Sequence, residues 1–434
     1  MDRWQPRERP AVGVIATGHQ PWLWHPGILA KYVAAGAFAR SRGLRAAHVV
    51  VDTDLIAGLT LDVPVLRGRR LGVHRVRLAS VRVDRPTVVQ PAVDARQVTA
   101  TLEAVPDRVE GRVAVDLSPL IHAWRDLPPA ANLAAQISDV LERLMLPWTG
   151  PLERIYASEL LRSEAGRALV TEMVRDAHRC ALTYNRAAAS VPEARIRPLH
   201  VGVDVVELPL WSITPWGRQP IFVERAASDA GELMAGIDTG TLAPRALLLS
   251  ALMRRERSDL FIHGRGGGVY DRVTEAWWTA WRGEVLAPMA VVSADVYLDF
   301  DAPLADEAQL QRAQWYAHHL PGNIDRVLKL DGRDGRVARK REILAHMDDD
   351  RDKRRRAKAF VELQAINAEL GREHGDLLTA ARQAVADARL GVANRDIALR
   401  REWCFALYPR EKLDALVRSL VPVAVGADYR TTGG

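Results

Sequence analysis

Residues 11–54 read AVGVIATGHQPWLWHPGILAKYVAAGAFARSRGLRAAHVVVDTD, and their pattern decides the fold class. Residues 11–18 are mostly apolar and end in Thr17-Gly18, which predicts a buried strand. Across residues 27–42, Ile28, Tyr32, Ala35 and Phe38 or Ala39 recur at three- or four-residue spacing, the period of a helix face. Gly43 suits the helix C-terminus, where a left-handed residue ends the turn. Residues 46–51 form a second apolar run that closes on Asp52-Thr53-Asp54. Strand, helix and strand in roughly 40 residues predict a parallel βαβ unit. Residues 61–90 then alternate like antiparallel β, so an α/β fold that is more than a plain doubly wound sheet is expected.

Working outward, the pattern turns helical over 118–194, with a Pro-Trp-Thr-Gly-Pro break at 147–151. Strand character returns at 199–225. Residues 245–257 read as a helix, 259–264 as a short buried strand, Arg265–Gly268 as a glycine turn, 269–283 as a helix and 289–300 as a strand. The expected organisation is therefore a core in two segments, 1–117 and 195–330, separated by a helical insertion at 118–194. A distinct C-terminal region follows at 331–434. Over 337–400 the chain is highly charged and lacks proline, with Leu363, Ile366, Leu370, Leu377, Ala381, Ala384 and Ala388 at three- or four-residue intervals. That predicts a long helix or helical hairpin in a coiled coil, with Gly375 as a turn. Residues 402–420 regain an apolar amphipathic pattern and are expected to dock on the body.

Composition bounds the function. At 434 residues and 48% hydrophobic content, the chain suits a globular protein of about two or three domains. It has no apolar run of roughly 18 residues, the length a membrane helix needs, and no signal-peptide core near its N-terminus, so no membrane partner and a cytoplasmic location are expected. The two cysteines, Cys180 and Cys404, are far apart and predict neither a disulfide framework nor a zinc site. The net charge is +6, with basic clusters at 68–85 and 351–360. Neither carries interleaved aromatics for base stacking, so solvated faces are expected in place of a nucleic-acid surface.

Chemistry concentrates at two strand–loop–helix junctions, where open α/β sheets place their ligands. The first offers Gly18, His19, Gln20, His25 and Gly27. His19 and His25 suit acid–base chemistry or donation to an anion near neutral pH, and Gln20 suits a polar substrate group. The second offers His263, Gly264, Arg265, Gly266, Gly267 and Gly268. Clustered glycines at a helix start can cradle an anion in backbone N–H groups, and Arg265 adds a planar cationic fork. Neither the P-loop nor the dinucleotide fingerprint is present. Asp52 and Asp54 end the second strand and are candidates for coordinating a metal or for holding an amine or hydroxyls. No histidine or carboxylate pattern at zinc-ligand spacing accompanies His318-His319.

These motifs resemble the bacillithiol-biosynthesis cysteine-adding enzymes, the cysteine ligases of that low-molecular-weight thiol. That family reads roughly Thr-Gly-Gln-Gln-Pro-Gly-Leu-Phe at its first motif. Thr17, Gly18, Gln20, Pro21 and Leu23 match it, and His19 replaces a glutamine. Asp52 and Asp54 fall on the aspartates of the family's Glu-Asp-His-Asp strand end, with Val51 and Thr53 replacing its glutamate and histidine. Gly264, Gly266 and Tyr270 align with its Gly-Gly-Pro-Gly-Glu turn and following helix, with Arg265 and Gly267 replacing proline and glutamate. The resemblance implies a Rossmann-like core split by a connecting region, a C-terminal coiled coil that supports a homodimer, and a ligase or transferase acting on a polar, anionic small molecule. It also implies a possible adenine nucleotide as cofactor. In that scheme His19, His25, Asp52 and Asp54 are catalytic, and Gly18, Gln20 and His263–Gly268 bind substrate. Two other readings stay open. One is an ATP-using, nucleotidyltransferase-like enzyme. The other is a non-catalytic dimeric binding protein with a vestigial pocket.

Overall fold

The computed structural model describes residues 13–426 except 110, 112, 114, 225–228 and 348–349. The opening stretch folds as β1 (Val14–His19), α1 (Pro26–Ser41) and β2 (Arg45–Val50), and the two strands pair in parallel from Val14↔Arg45 to His19↔Val50. His25 caps α1: its Nδ1 accepts from the Gly27 N–H at 3.0 Å, and Pro26 occupies the first turn, where its missing N–H is not needed. Gly43, at φ +64°, follows the helix end. Nearly every residue of α1 is buried, because it is packed on all sides and not laid on a surface.

β3 (Leu59–Arg67) and β4 (Arg70–Ala79) form the antiparallel hairpin that the alternation at 61–90 predicts. α2 (Leu133–Thr149) follows, and then β5 (Glu153–Tyr156). β5 pairs in parallel with β2, so the segment expected to be helical contributes an edge strand to the central sheet. Four residues are too short for periodicity to reveal a strand between long helices. Next come α3 (Glu164–Arg175), α4 (Ala177–Ser190), β6 (Val205–Thr214), β7 (Gly217–Glu224) and β8 (Leu242–Pro244). These three strands make a separate antiparallel sheet in the order β7-β6-β8.

α5 (Ala246–Leu252) passes into a π-helical turn at Met253–Arg257. β9 (Leu260–His263) runs directly into α6 (Arg265–Arg282), and β10 (Met289–Val291) completes the central sheet. Of the strand expected at 289–300, only these three residues pair. The central sheet is parallel throughout, in the order β10-β9-β1-β2-β5. Successive strands thus build outward from β1 in one direction and then, beginning with β9, in the other. The switch point lies between β1 and β9. The architecture is α/β with a parallel central sheet, as expected.

Apolar cores lie on both sides of this sheet. One joins Val14, Ala16, Val49 and Phe261 to Trp277, Trp278 and Trp281 of α6 and to Leu208 of the second sheet. The other packs Ile15, Ala46, Leu260 and Ile262 against Ala34, Ala35, Phe38 and Ala39 of α1, and a further core joins Trp24, Leu29 and Tyr32 to α2 and to Trp403–Tyr408. The Phe405 N–H donates to the Trp24 carbonyl at 2.7 Å, so the C-terminal segment docks on the body as expected.

The helical region differs from a single rod. α7 (Glu307–His319), α8 (Gly335–Met347), α9 (Lys353–Glu373) and α10 (Gly375–Ala398) gather around Leu320, Ile324, Ile343, Ile366, Leu370 and Ala381. The apolar stripe of 337–400 is partly satisfied within this small bundle and against α7. α11 (Arg410–Gly426) then packs along α1. His318 and His319 sit at the C-terminal end of α7.

Candidate functional site

A cavity of about 500 Å³ opens at the carboxyl ends of β1 and β9, at the switch point of the sheet. Its walls come from the end of β1, the first turns of α1 and α6, α5, the end of β9, Ser293 and Arg401. Gly18, His19, Gln20, His25, Asp54, His263, Gly264, Arg265, Gly266 and Gly267 all line it, so the two junctions expected from the sequence share one cleft. Asp52 and Gly268 are the exceptions.

Asp52 is a correction to the sequence reading. Its carboxylate is buried and accepts from the Ser158 N–H at 3.0 Å and the Ser158 hydroxyl at 2.5 Å. It ties the end of β2 to the turn after β5. Burial pushes its pKa up to about 6. The end of the strand is the reason: alternation would keep Asp52 and Asp54 on one face, but the chain leaves the sheet after Val50, so they part company. Asp54 stays in the cleft, where it accepts from Gln20 Nε2 at 2.8 Å and pairs with Arg218 of β7.

The glycine run is also not a loop. Gly264 is the N-cap of α6, and Arg265 to Gly268 are already its first turn. No side chain caps this helix, so the N–H groups at its start are left for solvent or a ligand. A Cβ at Gly266 would meet nothing, whereas one at Gly267 would lie 2.6 Å from His263 Nδ1. One at Gly268 would strike the Val291 side chain, so that glycine permits β10 to approach and does not face a ligand.

His263 is oriented from behind. Its Nε2 lies 2.8 Å from Asp271 Oδ2, on the next turn of α6. Asp271 is fully buried and also takes Ser250 Oγ at 2.5 Å and Arg254 Nη1 at 2.8 Å. These partners, His263 first among them, outweigh burial and hold the Asp271 carboxyl below its usual range. An ionised Asp271 places an N–H on His263 Nε2 and so fixes the orientation of the ring.

His19 packs edge-on against Trp22 and Trp24, with centroids 5.4 and 5.9 Å apart. Burial, with Lys31 nearby, pushes its pKa well below the usual imidazole value, so it is neutral. Burial and the Arg401 guanidinium also lower the His25 pKa. With Nδ1 accepting from Gly27, neutral His25 carries its proton on Nε2 as a donor.

Three basic side chains complete the cleft. Arg265 bonds Asp295 at 2.8 Å, and Arg401 reaches the other oxygen of Asp295 at 2.6 Å and Ser293 at 3.2 Å. Lys31, 4% exposed, donates to the Gly18 carbonyl. Sequence reasoning missed Lys31, Arg401 and Asp271. Lys31 sits inside an apolar helix stretch that signalled only packing, and Arg401 arrives from a remote segment with no motif around it.

Cys180 and Cys404 are buried, and burial pushes both thiols up, Cys404 to about 12. Among the described residues, no group of three or more His, Cys, Asp or Glu side chains is placed to hold a metal ion, and no helix is long and apolar enough to cross a membrane.

No family model matches the chain, and no curated protein is similar to it. A solved structure of methionyl-tRNA synthetase from Mycobacterium tuberculosis, bound by methionyl-adenylate, shows 12% identity and a TM-score of 0.24. That comparison covers 95% of this chain and 89% of that one, and at such a TM-score it carries no argument.

Proposed function

We propose that the chain is a small-molecule ligase or transferase whose cleft binds a polar, anionic metabolite. The observation that carries this reading is the convergence of two helix N-termini, α1 and the uncapped α6, on one cavity that also holds Lys31, Arg265 and Arg401. Helix N-termini present partial positive charge and free N–H groups, and anions settle there. The sheet order, with its first strand central, supports a Rossmann-like core, and the three motifs support kinship with the bacillithiol cysteine-adding enzymes.

In this reading Arg265 and the first turn of α6 bind a carboxylate or phosphate. His25 donates from Nε2 to a developing oxyanion. Neutral His19 accepts the proton that an attacking amine must lose. Asp54, with Gln20, holds that amine or a substrate hydroxyl. The uncapped α6 turn and the arginines fit the phosphates of an adenine nucleotide, which when bound would supply carboxylate activation. Asp52 has no part in this chemistry.

A thermal-shift screen with nucleotides, amino acids, malate, citrate and glucosamine conjugates tests the proposal. A compound bound only by the folded state raises Tm by mass action. The expected result is a shift with an anionic compound that Arg265→Ala abolishes. Arg265 is 64% exposed, so that variant keeps its fold. A folded protein that responds to none of these compounds would contradict the reading. One observation favours the non-catalytic alternative: Asp54 and Asp271 are both already engaged by arginines. Anion binding without turnover, with neither pyrophosphate nor amide formed, would select it.

A further inference from the structure

The chain contains only six lysines among 60 basic residues, and two of the six are buried. The pair makes an instructive contrast. Lys340 donates to the Asp325 carboxylate at 2.5 Å and to the Gly322 carbonyl at 2.6 Å. That is how a buried ammonium is ordinarily accommodated, because an unpaired charge is costly away from water. Lys31 has a carbonyl partner, Gly18, and no carboxylate within ion-pair reach among the described residues. It lines the cavity between the two helix starts.

The groups around Lys31 do not supply the missing charge. His19 on β1, His25 at the start of α1 and His48 on β2 are all held neutral by burial. Tyr32, next on the helix, is buried and its pKa is raised. Glu142 of α2 lies against His48 and Arg154. Across the cavity, Asp54 is taken by Arg218, and Asp271 by Arg254 and His263. An arginine in this place could not shed its charge. A lysine can, and burial lowers the Lys31 pKa to about 7.

We propose that Lys31 is a substrate-binding residue whose counter-ion is an anionic oxygen of the ligand, so that binding in the cleft is coupled to uptake of one proton by its amine. The inference rests on the anion-binding reading of the cleft and adds to it a residue and a linkage. The carboxylate or phosphate oxygen that reaches Lys31 turns a neutral amine into an ammonium, with the proton drawn from solvent.

Calorimetric titration of the full chain with malate and, separately, with ADP tests it across a range from about pH 7 to about pH 9. The expected result is an affinity that falls by roughly tenfold per pH unit, with a binding enthalpy that varies with buffer ionisation as one proton is taken up. Lys31→Met should weaken binding by about tenfold or more and abolish the proton uptake. Lys31→Arg, with a fixed charge, should bind without pH dependence in this range. Arg265→Ala should weaken binding but keep the proton uptake. Malate and ADP distinguish a carboxylate ligand from a phosphate one. Binding that is flat with pH in the wild type, or proton uptake that survives in Lys31→Met, overturns the role of Lys31 while leaving the anion site intact. If neither compound binds the wild type, the anion site and the Lys31 inference fall together.

Discussion

At the scale of single residues, the cleft separates side chains that share a sequence motif. Asp52 and Asp54 are two apart, yet one holds the fold and the other faces the cavity. Burial raises the Asp52 pKa to about 6, so the folded state carries its proton more readily than the unfolded chain does. Its contribution to stability is therefore complete below the unfolded carboxylate pKa and is lost as pH rises through about 6. In Asp52→Asn the amide oxygen still accepts from the Ser158 N–H and the amide N–H donates to the Ser158 hydroxyl, so both contacts persist without the charge. The variant should be more stable than wild type by ~1–3 kcal/mol above neutrality, with the difference vanishing near about pH 4. Urea denaturation at several pH values checks this, and anion affinity should not change. His25 has a double reading as cap and as donor, which substitution can separate. His25→Ala should cost ~1 kcal/mol of stability, whereas His25→Asn should recover it without restoring ligand affinity.

At the scale of elements, the start of α6 shows why four successive residues do different work. Gly266 faces open space, so Gly266→Ala should leave stability unchanged or raise it by up to ~1 kcal/mol, as expected for alanine over glycine in a helix. Gly267→Ala drives a methyl group into His263 and should break its bond to Asp271, costing ~1–3 kcal/mol. Denaturation midpoints of the two variants check both outcomes. The junctions themselves were legible in the sequence, because apolar runs, prolines, histidines and glycines mark a strand feeding a helix. The exact helix start was not. A glycine run reads as a turn, but Gly264 adopts the extended geometry of an N-cap and the chain turns helical at Arg265. β5 was hidden for another reason: its pairing with β2 joins residues more than a hundred apart, and no local pattern encodes that contact.

At the scale of the whole molecule, the cleft depends on remote segments. Arg401 reaches the site from beyond the helical bundle, and Trp403 to Tyr408 fill the core beside Trp24. Truncation after Arg401, which removes residues 402–434, uncovers α1 and this core together, so the truncated chain should lose its cooperative thermal transition. Calorimetry of the truncated protein checks this. The charged, heptad-like stretch at 337–400 illustrates the ambiguity of a helical apolar stripe, which does not say whether its partner lies in the same chain or another. Here Ile366, Leu370 and Ala381 find partners within the bundle. The homodimer remains a proposal, and light scattering of the purified chain decides it.

The proposed function requires the starts of α1 and α6, with Lys31, Arg265 and Arg401, to form one anion site. The most direct measurement is anomalous diffraction from crystals grown with tungstate, a heavy tetrahedral oxyanion. A peak is expected in the cleft, at the first turn of α6 and within hydrogen-bond reach of Arg265 or Lys31. Tungstate bound only elsewhere on this basic protein, with the cleft empty, would contradict it.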